Sequence, residues 1–597
     1  MTKSWFKETV GRLELPVWTR AHAAEILPDA VRPLDFDLLL SQAAGPAWRA
    51  ELVGRLGFRP NEIPADGPPL IGIFEGRAYL NASTLRVWAQ RTPVLGPHHA
   101  DAAYLGPGLP DYEPVEWHDH PAATDGSLNQ WLRRVLVDGT RPELDELCAE
   151  ADQARRSRPD FAVMLDDEVH ARIVELQPLV GRLMAQHLHQ MLAASVGPGI
   201  IAAICVERGL PTEASHLIAG LGQLDTTAPV AALWALSRLV AHSAPATAEF
   251  DRGLSGLAQR LRDSTAHDVA GLAAGVETLA GEVGPLGSSS WELTAIPARS
   301  ATDTILQALD WLRRCPDELD PRPRMAAVAS ARRELVEEVA GPEPATEGAE
   351  ATDRAQFLVA VRATEIHVRG RERLGRAIGM TLDEIRAALW ELGLRAASRN
   401  DVTHPDDLRY LFGDELAYYA DGGLSAIGEL VAERRQRLAE VAAGPAPAMI
   451  DVRHRPQRLF PLEQPAQLEA GGIVMGRPVS SNVGRGTARI IDDPARLAEI
   501  EPGAVLVAAT ASTSWLPFII GAAAVVTEAG GLLGHLSILC RELGTPLVVG
   551  IDNAPIRFVE GSLLEVDGLT GIVSVIEDAP TAAVSPTVVT LDPWGVA

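Results

Sequence analysis

Residues 525–550 read VVTEAGGLLGHLSILCRELGTPLVVG. The apolar run at 523–528 predicts a buried strand, and Gly530-Gly531 and Gly534-His535 predict a glycine-rich turn. An amphipathic helix follows, starting near His535 and ending at Gly544, and PLVVG (546–550) is a second buried strand. Backbone amides at such a strand-to-helix turn form an anion site, and the helix dipole adds about 0.3–1 kcal/mol for a negative group. An imidazole at that place is a nucleophile near neutral pH, and a phosphoryl group on its ring would sit where amides receive the oxygens. Spacing alone leaves a plainer alternative open, in which His535 is a polar residue at a helix start and the glycines only shape the turn.

Around this stretch, AVLVAA (504–509), SLLEVDG (562–568) and TGIVSVI (570–576) read as short strands, and GRPVSSNVGRGTARII (476–491) reads as a bent strand pair. Residues 471–580 therefore predict a small α/β domain, followed by a tail at 581–597. Residues 443–470 carry five prolines and no period, which predicts a linker, extended in parts. Upstream, helical periodicity recurs at 169–192, 230–243, 305–315, 326–340 and 382–398. Residues 1–105 look mixed, with a strand, turn and strand at LIGIFEGRAYLN (70–81), and 106–126 look like a loop. The expected architecture is a multidomain α+β chain, with a large helix-rich domain at 1–442 ahead of the small α/β domain.

The 597 residues are 47% apolar and 22% charged, which is an ordinary globular balance. The net charge of −26 speaks against nucleic acid and anionic membranes as partners. The four cysteines are scattered and form no metal or disulfide pattern. No signal peptide pattern opens the chain, and the apolar stretches near 191–205 and 515–526 are interrupted, so a cytoplasmic protein without a membrane span is expected. Of 53 Lys plus Arg, only Lys3 and Lys7 are lysine, so no G-x-x-x-x-G-K-[ST] phosphate loop exists. His98-His99 with Asp101, and His118-Asp119-His120, lack a further ligand by spacing, and no metal is expected. His187 and His189, two apart on a helix, point to different faces.

Residues 471–577 resemble the swivelling phosphohistidine domain (β/β/α) of the PEP-utilising enzymes, a family that includes PEP synthase, pyruvate phosphate dikinase and rifampin phosphotransferase. The resemblance rests on SSNVGRGTARI (480–490), PGAVLVAATAS (502–512), AAAVVTEAGG (522–531), GHLSILCRELGTPLVVG (534–550) and GSLLEVDGLTGIVSV (561–575). It implies that His535 carries a phosphoryl group between two sites, with Gly530, Gly531 and Gly534 presenting amides to it. The family often has Thr-Ser before the histidine, where this chain has Leu533-Gly534.

WTRAHAAEILPDAVRPLD (18–35), FEGRAYLN (74–81), GLGQLDTTAPVAALWALSRLV (220–240), HVRGRERLGR (367–376) and HPDDLRYLFGDEL (404–416) are similar to the central acceptor domain of the rifampin phosphotransferase-like members. That similarity implies phosphate-stabilising roles for Arg371, Arg369 and Arg373, with Arg376 nearby. It also implies acceptor-binding roles for Arg20, Glu25 and Glu372. A lysine expected one turn after Arg371 is absent. Family members carry an ATP-grasp domain that charges the histidine, and none is recognisable in this sequence. The expectation is a phosphotransferase component that receives phosphate from a separate ATP-grasp, PEP synthase N-terminal-like partner, which holds ATP and Mg²⁺. It would pass the phosphate to a hydroxyl of a small organic acceptor. The alternative is an inactive or regulatory binding protein that retains the swivelling domain.

Overall fold

The computed structural model describes residues 9–580 apart from 10, 66–68, 94, 106–108, 114–125, 140–141, 223, 226, 284–290, 294–297, 344–348, 425–426, 445–446, 448, 455–465, 481, 493–495, 498–499 and 512–514. The tail at 581–597 and His118–His120 lie outside the described residues.

The N-terminal part folds around a four-stranded sheet in the order β2 (Ile71–Phe74), β3 (Arg77–Asn81), β1 (Val17–Thr19), β4 (Met449–Asp451). Glu75 and Gly76, at φ 48° and 70°, make the tight two-residue turn between β2 and β3 that the strand twist favours. The fourth strand comes from the expected linker: Val17, Trp18 and Thr19 pair antiparallel with Asp451, Ile450 and Met449. The linker is therefore fixed to the N-terminal sheet at this point.

Two helices dominate the helix-rich region, Asp166–Glu207 of 42 residues and Ala349–Ser398 of 50 residues. They run antiparallel. Gly197 lies against Ala360 and Thr364, and Gln190 lies against His367 and Gly370. A Cβ on Gly197 would stand 2.3 Å from the Thr364 hydroxyl oxygen, so only glycine lets the backbones come this close. The helix Asp166–Glu207 is long and apolar enough to cross a membrane by length and composition, but 67% of its most apolar window is buried inside the protein. One core joins these helices to the first sheet through residues such as Leu34, Leu85, Leu183, Leu192, Leu382 and Leu392.

The C-terminal domain is an eight-stranded sheet in the order β5 (Ile473–Met475), β12 (Ile572–Glu577), β11 (Leu563–Asp567), β7 (Val483–Ile491), β8 (Val505–Ala508), β9 (Ala524–Thr527), β10 (Leu547–Val549), β6 (Arg477–Pro478). β7 to β10 are parallel neighbours, and β11, β12, β5 and β6 add antiparallel. The fold is thus a helix-rich region followed by a small α/β domain. The expected strand pair at 476–491 is corrected: β6 joins β10 at one edge and β7 runs through the middle. The Ser480 hydroxyl, which accepts from the Leu547 amide at 2.7 Å, ties the turn between them to β10.

The helices Ala228–His242 and Ala298–Leu312 share a core with this domain, in which Leu233, Leu309, Trp311 and Leu312 meet Leu506, Phe518, Ile519 and Leu539. Trp311 donates its indole N–H to the Ile500 carbonyl at 2.7 Å, and its ring stands edge-on to Phe518 with centroids 5.2 Å apart. Each large side chain buried here contributes about 1.5–3 kcal/mol.

Candidate active site

The glycine-rich turn leaves β9 at its C-terminal end. Gly530 takes φ +150°, and Gly531 and Gly534 make close approaches: a Cβ on Gly531 would lie 2.7 Å from the Ala103 carbonyl, and one on Gly534 would lie 2.5 Å from Glu25 Oε1. The amides of Leu532 and Leu533 donate to the carbonyls of Ala102 and Ala103 at 3.3 and 3.2 Å. Arg477 donates to the carbonyls of Asp101 and Ala102 at 2.7 and 2.8 Å. These bonds hold the turn against the helix-rich region, and Leu533 enters that region's core. Gly534 caps the nine-residue helix His535–Leu543, which ends at Gly544 in the left-handed conformation, as its sequence predicts. The N–H groups of its first turn have no carbonyl within the helix to take them.

His535, 9% exposed, faces the 50-residue helix. Its Nδ1 lies 3.2 and 3.3 Å from the two carboxylate oxygens of Glu372, which is fully buried. Arg371 pairs with the same carboxylate at 3.1 Å and donates to the Leu533 carbonyl. One turn on, Gly375 stands where the lysine is missing, and a Cβ there would be 3.5 Å from His535 Cε1. Arg371 and Glu372 lie four and three residues before Gly375, so each neighbours the point where Gly375 meets His535.

Four further side chains close on this centre: His22, Glu25, His187 and Tyr104. His22 Nδ1 lies 3.4 Å from Glu25 Oε2. Burial alone would raise the Glu25 pKa, but His22 beside it, with His535 and Arg371 beyond, outweighs it, and the net shift is downward. His187 is held neutral, its pKa well below the ordinary value, first by burial and then by Arg371, His535 and His22. Its ring meets Trp291 edge-on at 5.5 Å. Tyr104 donates to the Met191 carbonyl, lies 5.9 Å from the His22 ring, and is pushed up to about 12 by burial.

The structure thus brings together His535, Gly531, Gly534, Arg371, Glu372 and Glu25 from the expected set. Two expectations are corrected. Arg369 and Arg373 lie two positions either side of Arg371, about 200° around the helix, and are engaged elsewhere. Arg369 donates to the Leu221 carbonyl at 3.0 Å and Arg373 pairs with Asp145. Arg376 pairs with Asp152 at 3.7 Å. Arg20 also lies outside the cluster. It donates to the Pro28 carbonyl at 3.0 Å, lies over the Tyr79 ring at 5.7 Å, and faces Glu528 of the C-terminal domain.

His98 is exposed, and its partner Asp101 is held in two contacts by Arg86; His99 is half-buried, and the desolvation of its ring pushes it down to about 4. Among the described residues no group of three or more His, Cys, Asp or Glu is placed to hold a metal ion. His189 accepts from the Trp131 indole at 3.1 Å, on a different face from His187. Sequence reasoning assigned no role at this centre to His22, Tyr104 or His187. His22 carried a signal, three residues before Glu25, whereas Tyr104 and His187 are brought in only by packing.

Residues 500–571 match the family described as PEP-utilising enzyme, mobile domain. The C-terminal domain of this chain is thus similar to the mobile domain of the PEP-utilising enzymes. An uncharacterised protein of Mycobacterium tuberculosis is 32% identical over 239 residues, which is 40% of this chain and 26% of that protein. A rifampicin phosphotransferase of Streptomyces sviceus is 38% identical over 105 residues, 18% of this chain and 12% of the enzyme. A probable phosphoenolpyruvate synthase of Staphylothermus marinus is 39% identical over 114 residues, 18% of this chain and 14% of the enzyme. The matched part of the chain spans about a quarter of the first relative and less of the others. His535 and its glycine turn lie inside the mobile domain, whereas Glu25, Arg371 and Glu372 lie outside the matched residues.

Proposed function

We propose that the chain is a phosphotransferase component in which His535 carries a phosphoryl group and delivers it, in the docked position described above, to a hydroxyl of a small organic acceptor held by the helix-rich region. The observation that carries this reading is the clamp on His535. Glu372 takes Nδ1, which leaves Nε2 as the nucleophilic nitrogen, at the start of a helix whose first amides can receive phosphate oxygens. Arg371, buried beside it, can neutralise charge on the moving phosphoryl group. The chain has no lysine beyond Lys7, so ATP and Mg²⁺ would bind on an ATP-grasp partner, and the place of action would be the cytoplasm, where ATP is available.

The test is intact mass after incubation with ATP and Mg²⁺, alone and with the ATP-grasp partner, for wild type and His535→Ala. The expected result is one acid-labile phosphate, on wild type only and with partner only. A second reading, a binding protein that has lost transfer, draws on Leu533-Gly534 and Gly375 in place of hydroxyls and a lysine. It predicts no phosphate with a partner of proven activity.

A further inference from the structure

Transfer to a hydroxyl needs a group that takes the hydroxyl proton. The candidates at the docked centre are Glu372, Glu25, His187, Tyr104 and His22. Glu372 is already shared between His535 and Arg371. Glu25 is held as a carboxylate beside His22 and the Arg371 guanidinium, which makes it a weak base. Tyr104 keeps its proton and spends it on the Met191 carbonyl. His187 has no hydrogen-bonded carboxylate among the described residues, and burial and the Arg371 guanidinium oppose a proton on it.

His22 differs from all of these. Its Nδ1 lies 3.4 Å from Glu25 Oε2, and the buried Glu25 carboxylate abuts Gly534, the residue before His535. A carboxylate at Nδ1 fixes the tautomer, leaves Nε2 as an acceptor and stabilises the imidazolium that forms. His22 faces Glu25 on its own segment and the Tyr104 ring, and it acts electrostatically on His187 of the 42-residue helix; His535 of the mobile domain acts on the same two groups, Glu25 and His187. Arg371 and Glu372 on the 50-residue helix complete the surroundings.

We propose that His22 is the general base of acceptor activation, with Glu25 as its positioning residue; this rests on the phosphotransfer reading above. The acceptor oxygen forms a bond to phosphorus, the bond from phosphorus to His535 Nε2 breaks, and its electron pair returns to the imidazole. The acceptor proton passes to His22 Nε2 and from there to solvent.

The experiment needs neither the natural acceptor nor the partner. The full-length chain is charged with potassium phosphoramidate, and the loss of its phosphate is followed by intact mass in glycerol–water mixtures across a pH series. The same charged chain in concentrated urea gives the intrinsic rate. Wild type is expected to lose phosphate faster than the unfolded chain, and its excess over the unfolded rate should shrink in acid, where the phosphoramidate bond also breaks without help. His22→Ala should lower the rate by about 10²–10⁴-fold, and added imidazole should restore it. His22→Gln, which keeps the contact to Glu25, should be as slow with an unchanged melting temperature. Glu25→Gln should slow the loss, because the amide no longer stabilises the imidazolium that forms on His22.

The proposal is overturned if His22→Ala and His22→Gln keep the wild-type rate and pH profile. It is also overturned if both are slowed with the profile unchanged and no imidazole rescue, or if charged wild type is no faster than the unfolded chain. If wild type takes up no more phosphate than His535→Ala, the carrier reading itself has failed.

Discussion

At the scale of the residue, the centre is a set of paired charges, and each pair sets an expectation. Arg371 and Glu372 are buried together, so Glu372→Ala leaves an unpaired guanidinium and should cost about 3–5 kcal/mol in denaturant unfolding. Glu372→Gln keeps the shape and should chiefly slow phosphate uptake at His535, about 10–100-fold by analogy with other partners that orient a histidine. Glu528 gives a pH dependence with a definite sign. Burial and Asp552 raise its pKa from 4.5 to about 7, against Arg20. The folded chain therefore holds a proton there that the unfolded chain has lost, and stability falls as pH rises from 4.5 to about 7. Glu528→Gln should flatten that part of a melting-temperature series against pH.

At the scale of the element, much of the architecture is legible from periodicity. The His535 helix, with its glycine turn and its stop at Gly544, follows from local chemistry alone. So do β8 to β12, which are short apolar runs bounded by glycine, proline or aspartate. Other features are not legible, for stated reasons. The helix Ala349–Ser398 continues through Gly370 and Gly375 because those glycines pack against Gln190 and His535, so tertiary contact overrides weak helix propensity. β6 and β7 read as a pair because they are close in sequence, whereas a parallel sheet places neighbours by crossover. The arginines at 367–376 look like one cluster until the helix sorts them by angle. The contact between the helical layer and the mobile domain can be tested through Trp311. Trp311→Ala should cost about 3–5 kcal/mol, and Trp311→Phe about 1 kcal/mol from the bond to Ile500, both read by chemical denaturation.

At the scale of the whole molecule, two kinds of surface meet the mobile domain. One is a continuous apolar core with the helices Ala228–His242 and Ala298–Leu312. The other, around His535, is made of backbone hydrogen bonds, arginines and carboxylates. Apolar contacts of the first kind are characteristic of lasting interfaces, and polar ones of the second kind are easier to open. Amide exchange should report this: protection at 532–537 should fall when His535 is charged and unprotected by an acceptor, while protection at 516–521 should persist.

Strand β4 sets a length. Pinned to β1 at Asp451, the chain runs through residues 452–472 before β5 begins. Val452–His454 form a 3-10 turn and Leu468 is already hydrogen-bonded to Arg557 of the C-terminal domain, so residues 455–467 alone join the two fixed points. A connector of that size keeps its two ends at a local concentration in the millimolar range. The His535 face and its docking site would then find each other at that concentration however dilute the protein. An encounter too weak to be seen between separate molecules, with a Kd near 1 mM or about 4 kcal/mol, would be half-occupied within this one.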